Sequence, residues 1–141
     1  MIKVFLDANV LFSAANSPTG GSAYVVELAR AGKLRLFSSR LAVKEAERNL
    51  REKSTEAALL RFYDLLDEVT IELFDTNRAR AKKSWEYLVG AKDAPILAAA
   101  IVSKAQFLIT LDKKHFLNPQ VLGIDLPIKI LRPGGFIENY L

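Results

Sequence analysis

Short runs of β-forming apolar residues recur along this chain, and segments of helical periodicity separate them. The runs are IKVFL at 2–6, LRLFS at 34–38, TIELF at 70–74, FLITL at 107–111 and IKIL at 128–131, the last expected at a sheet edge. Such alternation constrains the fold strongly, because strands joined through helices pair in parallel and the helices cover both faces of the sheet. The expectation is a three-layer α/β/α sandwich with a mainly parallel central sheet, folding as one domain over residues 1–141. Half of the residues are hydrophobic, enough to build a core at this length.

The helices follow from capping signals. Ser22 is expected to cap a helix over about 23–32 that stops near Gly32, after a loop at 17–22. Ser39 precedes the helix RLAVKEAERNLREK. Helices are also expected at 55–69, at 76–90 with Gly90 as the stop, and at 93–105, where the residues are apolar nearly all round. The opening stretch IKVFLDANVLFSA reads as a buried strand in which Asp7 and Asn9 interrupt a core that resumes at Val10. After RPGG the chain is read as a short end.

In parallel α/β sheets the working crevice lies beyond the carboxyl ends of the strands. Asp7 follows the first run and Asp112 follows FLITL, so both belong at that edge. Asp93 opens the apolar helix, whose amino end returns to the same edge if the helix runs antiparallel to the strands. On the 40–53 helix, Glu45 and Asn49 fall within the apolar arc, whereas Glu47 falls outside it. Each acid also has an ordinary reading. Asp7 or Asp112 would start a turn, Asp93 would cap its helix, and Glu45 would reach past the apolar stripe to solvent. One functional reading covers all four. Clustered carboxylates repel one another unless a cation neutralises them, and a hard divalent ion with oxygen ligands does so. Such an ion activates water and stabilises in-line displacement at phosphorus.

The chain lacks cysteine, which excludes disulfides, thiolate metal sites and a cysteine nucleophile. Its one histidine, His115, is read as a packed or exposed residue, with contact to a substrate phosphate as the alternative. Net charge is +4 and unevenly spread: residues 30–53 carry eight Lys/Arg against three Glu, residues 56–75 carry six acids against Arg61, and a second basic run holds Arg78, Arg80, Lys82 and Lys83. Bands of this kind are a solvated surface or a polyanion track. The N-terminal apolar run is broken by Asp7 and preceded only by Lys3, unlike a secretory signal, and no segment has the length of a membrane span, so a cytoplasmic protein is expected.

The ordered set FLDANVLFSA, SSRLAVKEAERNL and KDAPILAAAIVSKAQFLITLDKKHF resembles the PIN domain superfamily, and within it the VapC-like toxin branch, over about residues 2–131. The resemblance implies a metal-dependent endoribonuclease using Mg²⁺ or Mn²⁺. Asp7, Asp93 and Asp112 would be the metal ligands, with Glu45 a fourth catalytic acid, as ligand or water-orienting base. Asn9 and Thr110, the latter in the T-x-D pattern, would support them. Ala8 departs from the pattern, where many members carry Thr or Ser. Arg40, Lys44 and Arg48 would guide RNA. The expected partners are an RNA substrate, a protein antitoxin in the cleft, and a second copy of the chain on helices 23–32 and 55–69, whose apolar faces are also read as core-packing surfaces. Two other readings are a silent RNA-binding or assembly module and an Asp-dependent phosphatase. The phosphatase order fits poorly, because position 9 is Asn where D-x-D is usual.

Overall fold

The computed structural model describes residues 1–141. Five strands, β1 (Ile2–Leu6), β2 (Leu34–Ser38), β3 (Ile71–Leu73), β4 (Phe107–Ile109) and β5 (Lys129–Leu131), form one sheet in the order β3-β2-β1-β4-β5. Every pairing is parallel, so the sheet is parallel throughout rather than mainly so. The order changes direction at β1. The chain builds outward through β2 and β3, then returns to place β4 and β5 on the other side of β1. A crevice is expected beyond the carboxyl ends of β1 and β4 at this switch point.

Alternation along the strands divides the core in two. Val4, Leu6, Leu36 and Ile109 face one side, and Phe5, Phe37 and Leu108 face the other. Helices α1 (Ala8–Asn16), α2 (Gly21–Arg30), α4 (Glu56–Glu68) and α8 (Pro133–Tyr140) cover the first face. Helices α5 (Arg78–Val89), α6 (Ala94–Val102) and the short α7 (Pro119–Leu122) cover the second. Helix α3 (Arg40–Lys53) gives Ala42 to one core and Ala46 and Leu50 to the other. It therefore passes over the carboxyl end of the sheet, which is what brings its side chains to the crevice. Full burial of each large apolar side chain, such as Leu50 or Phe62, contributes about 1.5–3 kcal/mol.

The amino-terminal stretch differs from its expected form. Ala8 to Asn16 is a helix and not a continuing strand. Its apolar residues suit either structure, but Val10, Leu11, Ala14 and Ala15 are the buried ones, and their spacing is helical. Helix α2 begins two residues earlier than expected, with Gly20 at its cap and Ser22 buried inside it. The short end after RPGG is helix α8, which starts with Pro133 in its first turn and buries Phe136 against Phe107. The apolar faces of α2 and α4 go into the core through Val25, Val26, Phe62 and Leu65, leaving Tyr24, Leu60 and Tyr63 exposed. No helix is long and apolar enough to cross a membrane.

Candidate metal centre

Asp7 sits where β1 ends and α1 begins. Its Oδ1 accepts the Ala8 N–H at 2.7 Å, capping the helix, while Val10 and Leu11 donate to its carbonyl. The cap and the pocket wall are therefore the same carboxyl group. Its Oδ2 accepts the Thr110 hydroxyl at 2.7 Å from the end of β4. Thr110 Oγ1 in turn accepts the Asp112 N–H at 3.1 Å. Asn9 completes the link: its amide nitrogen lies 3.4 Å from both Asp7 Oδ2 and Thr110 Oγ1, and its Oδ1 accepts the Leu111 N–H at 3.1 Å. Asn9 and Thr110 thus tie two adjacent strand ends together across the crevice.

Asp112 makes a local turn as well. Its Oδ1 accepts the N–H groups of Lys114 and His115 at 3.0 and 2.9 Å, which leaves Oδ2 to face the pocket. Asp93 stands at the start of α6 but makes no side-chain cap, so its carboxylate is free to point inward. Gly90 stops α5 with φ 86° and ψ 162°, a conformation few other residues adopt, and the turn after it carries Lys92 and Asp93. Glu45 reaches the same space from α3, as the helical phase predicts, with its side chain 19% exposed. Glu47 instead faces Arg51 and the exposed Tyr63.

All four acids line one pocket of about 430 Å³, together with Asn9, Asn49 and His115. Burial lifts the Asp7 carboxyl to about 7. The Thr110 and Ala8 hydrogen bonds oppose this, and the charges of Asp93 and Glu45 add to it. Burial likewise lifts Asp93 to about 6, with Asp112 reinforcing the shift and His115 and Lys92 opposing it.

Two further residues contact the acids. His115 Nδ1 lies 3.1 Å from Asp112 Oδ2 and 3.2 Å from Asp93 Oδ2, so one ring nitrogen is shared by two carboxylates. It is half-exposed at the rim, neither packed in the core nor free in solvent. Lys92 Nζ lies 3.2 Å from Glu45 Oε1 and is held charged by that contact. Both signals were present in the sequence as neighbours of acids, Lys92 directly before Asp93 and His115 three residues after Asp112.

The donor chemistry fits a hard divalent cation. The tightest group of candidate ligand atoms comes from Asp93, Asp112 and His115, all within 4.8 Å of one another, while Asp7 and Glu45 line the same pocket outside it. Acids lifted mainly by burial, with their mutual repulsion adding to it, are stabilised as carboxylates by a bound cation, and carboxylate oxygen is the ligand such ions prefer. The absence of cysteine and the single histidine disfavour zinc.

Of the three cations expected to guide RNA, Lys44 and Arg48 line a neighbouring groove with Glu45 and Lys92. Arg40 does not join them. Its guanidinium and its backbone N–H both bind Asp75, each at 3.0 Å, because α3 begins beside the segment that follows β3.

A family model for the PIN domain matches residues 3–114. The chain belongs to the PIN domain family. Solved structures share the fold of this PIN domain at low identity. VapBC2 from Rickettsia felis, bound to a DNA fragment from its promoter, is 18% identical with a TM-score of 0.66, covering 93% of this chain and 98% of that one. PAE2754 from Pyrobaculum aerophilum is 18% identical with a TM-score of 0.57, covering 92% and 89%. VapC20 from Mycobacterium tuberculosis, a sarcin-ricin loop cleaving toxin, is 17% identical with a TM-score of 0.52, covering 79% and 92%. No curated protein matches this PIN domain in sequence.

Proposed function

We propose that this PIN domain is an endoribonuclease that hydrolyses RNA phosphodiesters with Mg²⁺ or Mn²⁺, and that it is the toxin of a toxin–antitoxin pair. The observation that carries the reading is the convergence of Asp7, Glu45, Asp93 and Asp112 in one pocket that adjoins a basic groove. The fold shared with a toxin that cleaves the sarcin-ricin loop supports RNA as the substrate and the toxin role. A toxin of this kind needs a partner that holds it silent, so a protein antitoxin is part of the proposal, as is the cytoplasm, where its substrate is found.

Asp93 and Asp112 would hold the cation, with Asp7 completing its surroundings directly or through water. When bound, the cation supplies positive charge to the phosphate and makes water a competent nucleophile at neutral pH. Glu45 takes the proton of the attacking water, since its carboxylate is the least buried of the four acids apart from Asp112 and stands beside the groove. Thr110 and Asn9 fix the carboxylate plane of Asp7. His115 holds Asp93 and Asp112 in register, and Lys92 neutralises Glu45 before substrate arrives.

The test is cleavage of single-stranded RNA by the wild type and by Asp7→Asn, in Mg²⁺, in Mn²⁺ and in chelator. Cleavage by the wild type alone, and only with metal, is expected. Asp7→Asn cleaving at the wild-type rate would overturn the assignment, and RNA binding without cleavage would return the silent binding module.

A further inference from the structure

The groove beside the acidic pocket has an unusual charge balance. Its volume is about 640 Å³, and its walls carry Lys44 and Arg48 from α3, Arg78 and Lys82 from α5, and Lys92 from the turn before α6. Glu45 is the one acid among them, and it is bound to Lys92. None of Lys44, Arg48, Arg78 or Lys82 lies within ion-pair distance of a carboxylate, and unlike the other unpaired cations of the chain these four line a single groove together with Lys92. Cations gathered without counter-charges repel one another, so the arrangement favours a polyanion. The floor is Leu41, Ala91, Pro95 and Ile96, which offers no side-chain hydrogen bond to a base edge and no aromatic stacking surface. Glu45 and Lys92 line both the groove and the acidic pocket, so the two spaces meet at this pair.

From this geometry we infer that a single RNA strand lies between α3 and α5 with its phosphates on Lys44, Arg48, Arg78 and Lys82, and that Lys92 passes the scissile phosphate from the groove to the acids. The inference rests on the ribonuclease reading and extends it with the α5 wall and with Lys92 as the junction. Because every contact is to phosphate, the groove supplies affinity and register without reading sequence. Sequence preference then arises elsewhere on the surface. Lys92 exchanges Glu45 for the phosphate when the strand arrives, which frees the Glu45 carboxylate as a base at the moment it is needed.

The test uses Asp7→Asn as background, so that no RNA is cut during the measurement. Binding of a short fluorescein-labelled single-stranded RNA is followed by anisotropy across a salt series for three proteins: the background, the background with R78Q and K82Q, and the background with R80Q and K83Q. All four side chains are exposed on the same helix, and the two pairs remove equal charge, but only the first pair lines the groove. Loss of Arg78 and Lys82 should weaken binding about tenfold or more and reduce the slope of log affinity against log salt by roughly 1.4, at about 0.7 per phosphate contact in single strands. Loss of Arg80 and Lys83 should change affinity by about twofold at most. Equal weakening by both pairs would reduce the effect to net charge and overturn the inference, as would no weakening by either. Failure of the wild type to cleave in the same buffer with metal would overturn the ribonuclease reading instead, and the groove would still be judged by the binding comparison.

Discussion

The Thr110 hydroxyl donates to Asp7 Oδ2 at 2.7 Å, and one buried hydrogen bond thereby joins the ends of β4 and β1 across residues 103 positions apart. Thr110→Val preserves shape and removes the donor. It strands the Asp7 carboxylate and the Asp112 N–H in a buried setting, at a cost of about 1.5–3 kcal/mol for a hydrogen bond to a charged group. Urea denaturation should register that loss, and RNA cleavage should fall by about tenfold or more with the misplaced carboxylate. Thr110→Ser should recover most of both.

Helical phase separates two neighbouring acids on α3. Glu45 lines the pocket, and Glu47 faces Arg51 and Tyr63. Glu45→Gln should lower cleavage by about a hundredfold, within the range expected for loss of a general base. Glu47→Gln should leave the rate within about twofold. Comparable losses in both would remove Glu45 from its assigned role.

Asp7 and Asp93 carry raised pKa values, about 7 and about 6. The folded chain then binds more protons than the unfolded chain between about pH 4 and pH 7. The stability contributed by these two groups is therefore fully present below the unfolded value near 3.8 and is lost as pH rises through the folded values. Melting temperature without metal should fall from pH 5 to pH 8. Asp7→Asn, which cannot ionise, should show a shallower fall, and identical curves would contradict the burial assigned to Asp7.

On the proposed reading, a divalent metal bound among the acids should reverse the trend by supplying positive charge. Mg²⁺ competes with protons for the same oxygens, so its stabilising effect should be larger at pH 8 than at pH 5. Thermal melts with and without Mg²⁺ at the two pH values measure this directly. A stabilisation independent of pH would place the ion away from the acids.

Gly90 has open space around the position of a Cβ, with only His115 Cδ2 at 4.0 Å. Gly90→Ala therefore tests backbone strain alone, and its φ of 86° predicts a loss of about 1–3 kcal/mol. The turn it sets carries Asp93, so cleavage should fall in parallel with stability. A neutral substitution would mean that the turn adapts freely.

Much of this could be read from residue order. Strand runs, the Gly90 stop and the positions of Asp7, Glu45, Asp93 and Asp112 depend on local periodicity and on the rule that parallel sheets work at their carboxyl edge. Helix α1 was not legible, because Val10, Leu11 and Phe12 suit a strand as well as a helix and only packing against α3 and α4 decides between them. Helix α8 hides behind two glycines, and its formation follows from burying Phe136 rather than from propensity. Arg40 was misplaced since its partner, Asp75, is distant in sequence. His115 and Lys92 stood beside predicted acids, but their pairing requires side-chain directions that spacing alone does not give.

The position of β4 beside β1 also has a consequence for the timing of synthesis. The pocket takes its first wall from residue 7 and its last from residue 115, and the strand that locks Asp7 in place begins only at Phe107. A nascent chain that has emerged from the ribosome only as far as α6 lacks the closing side of the crevice. On the proposed reading, an enzyme that cuts RNA would stay harmless to its own messenger and its own ribosome until β4 and the Asp112–His115 turn have emerged and packed beside β1.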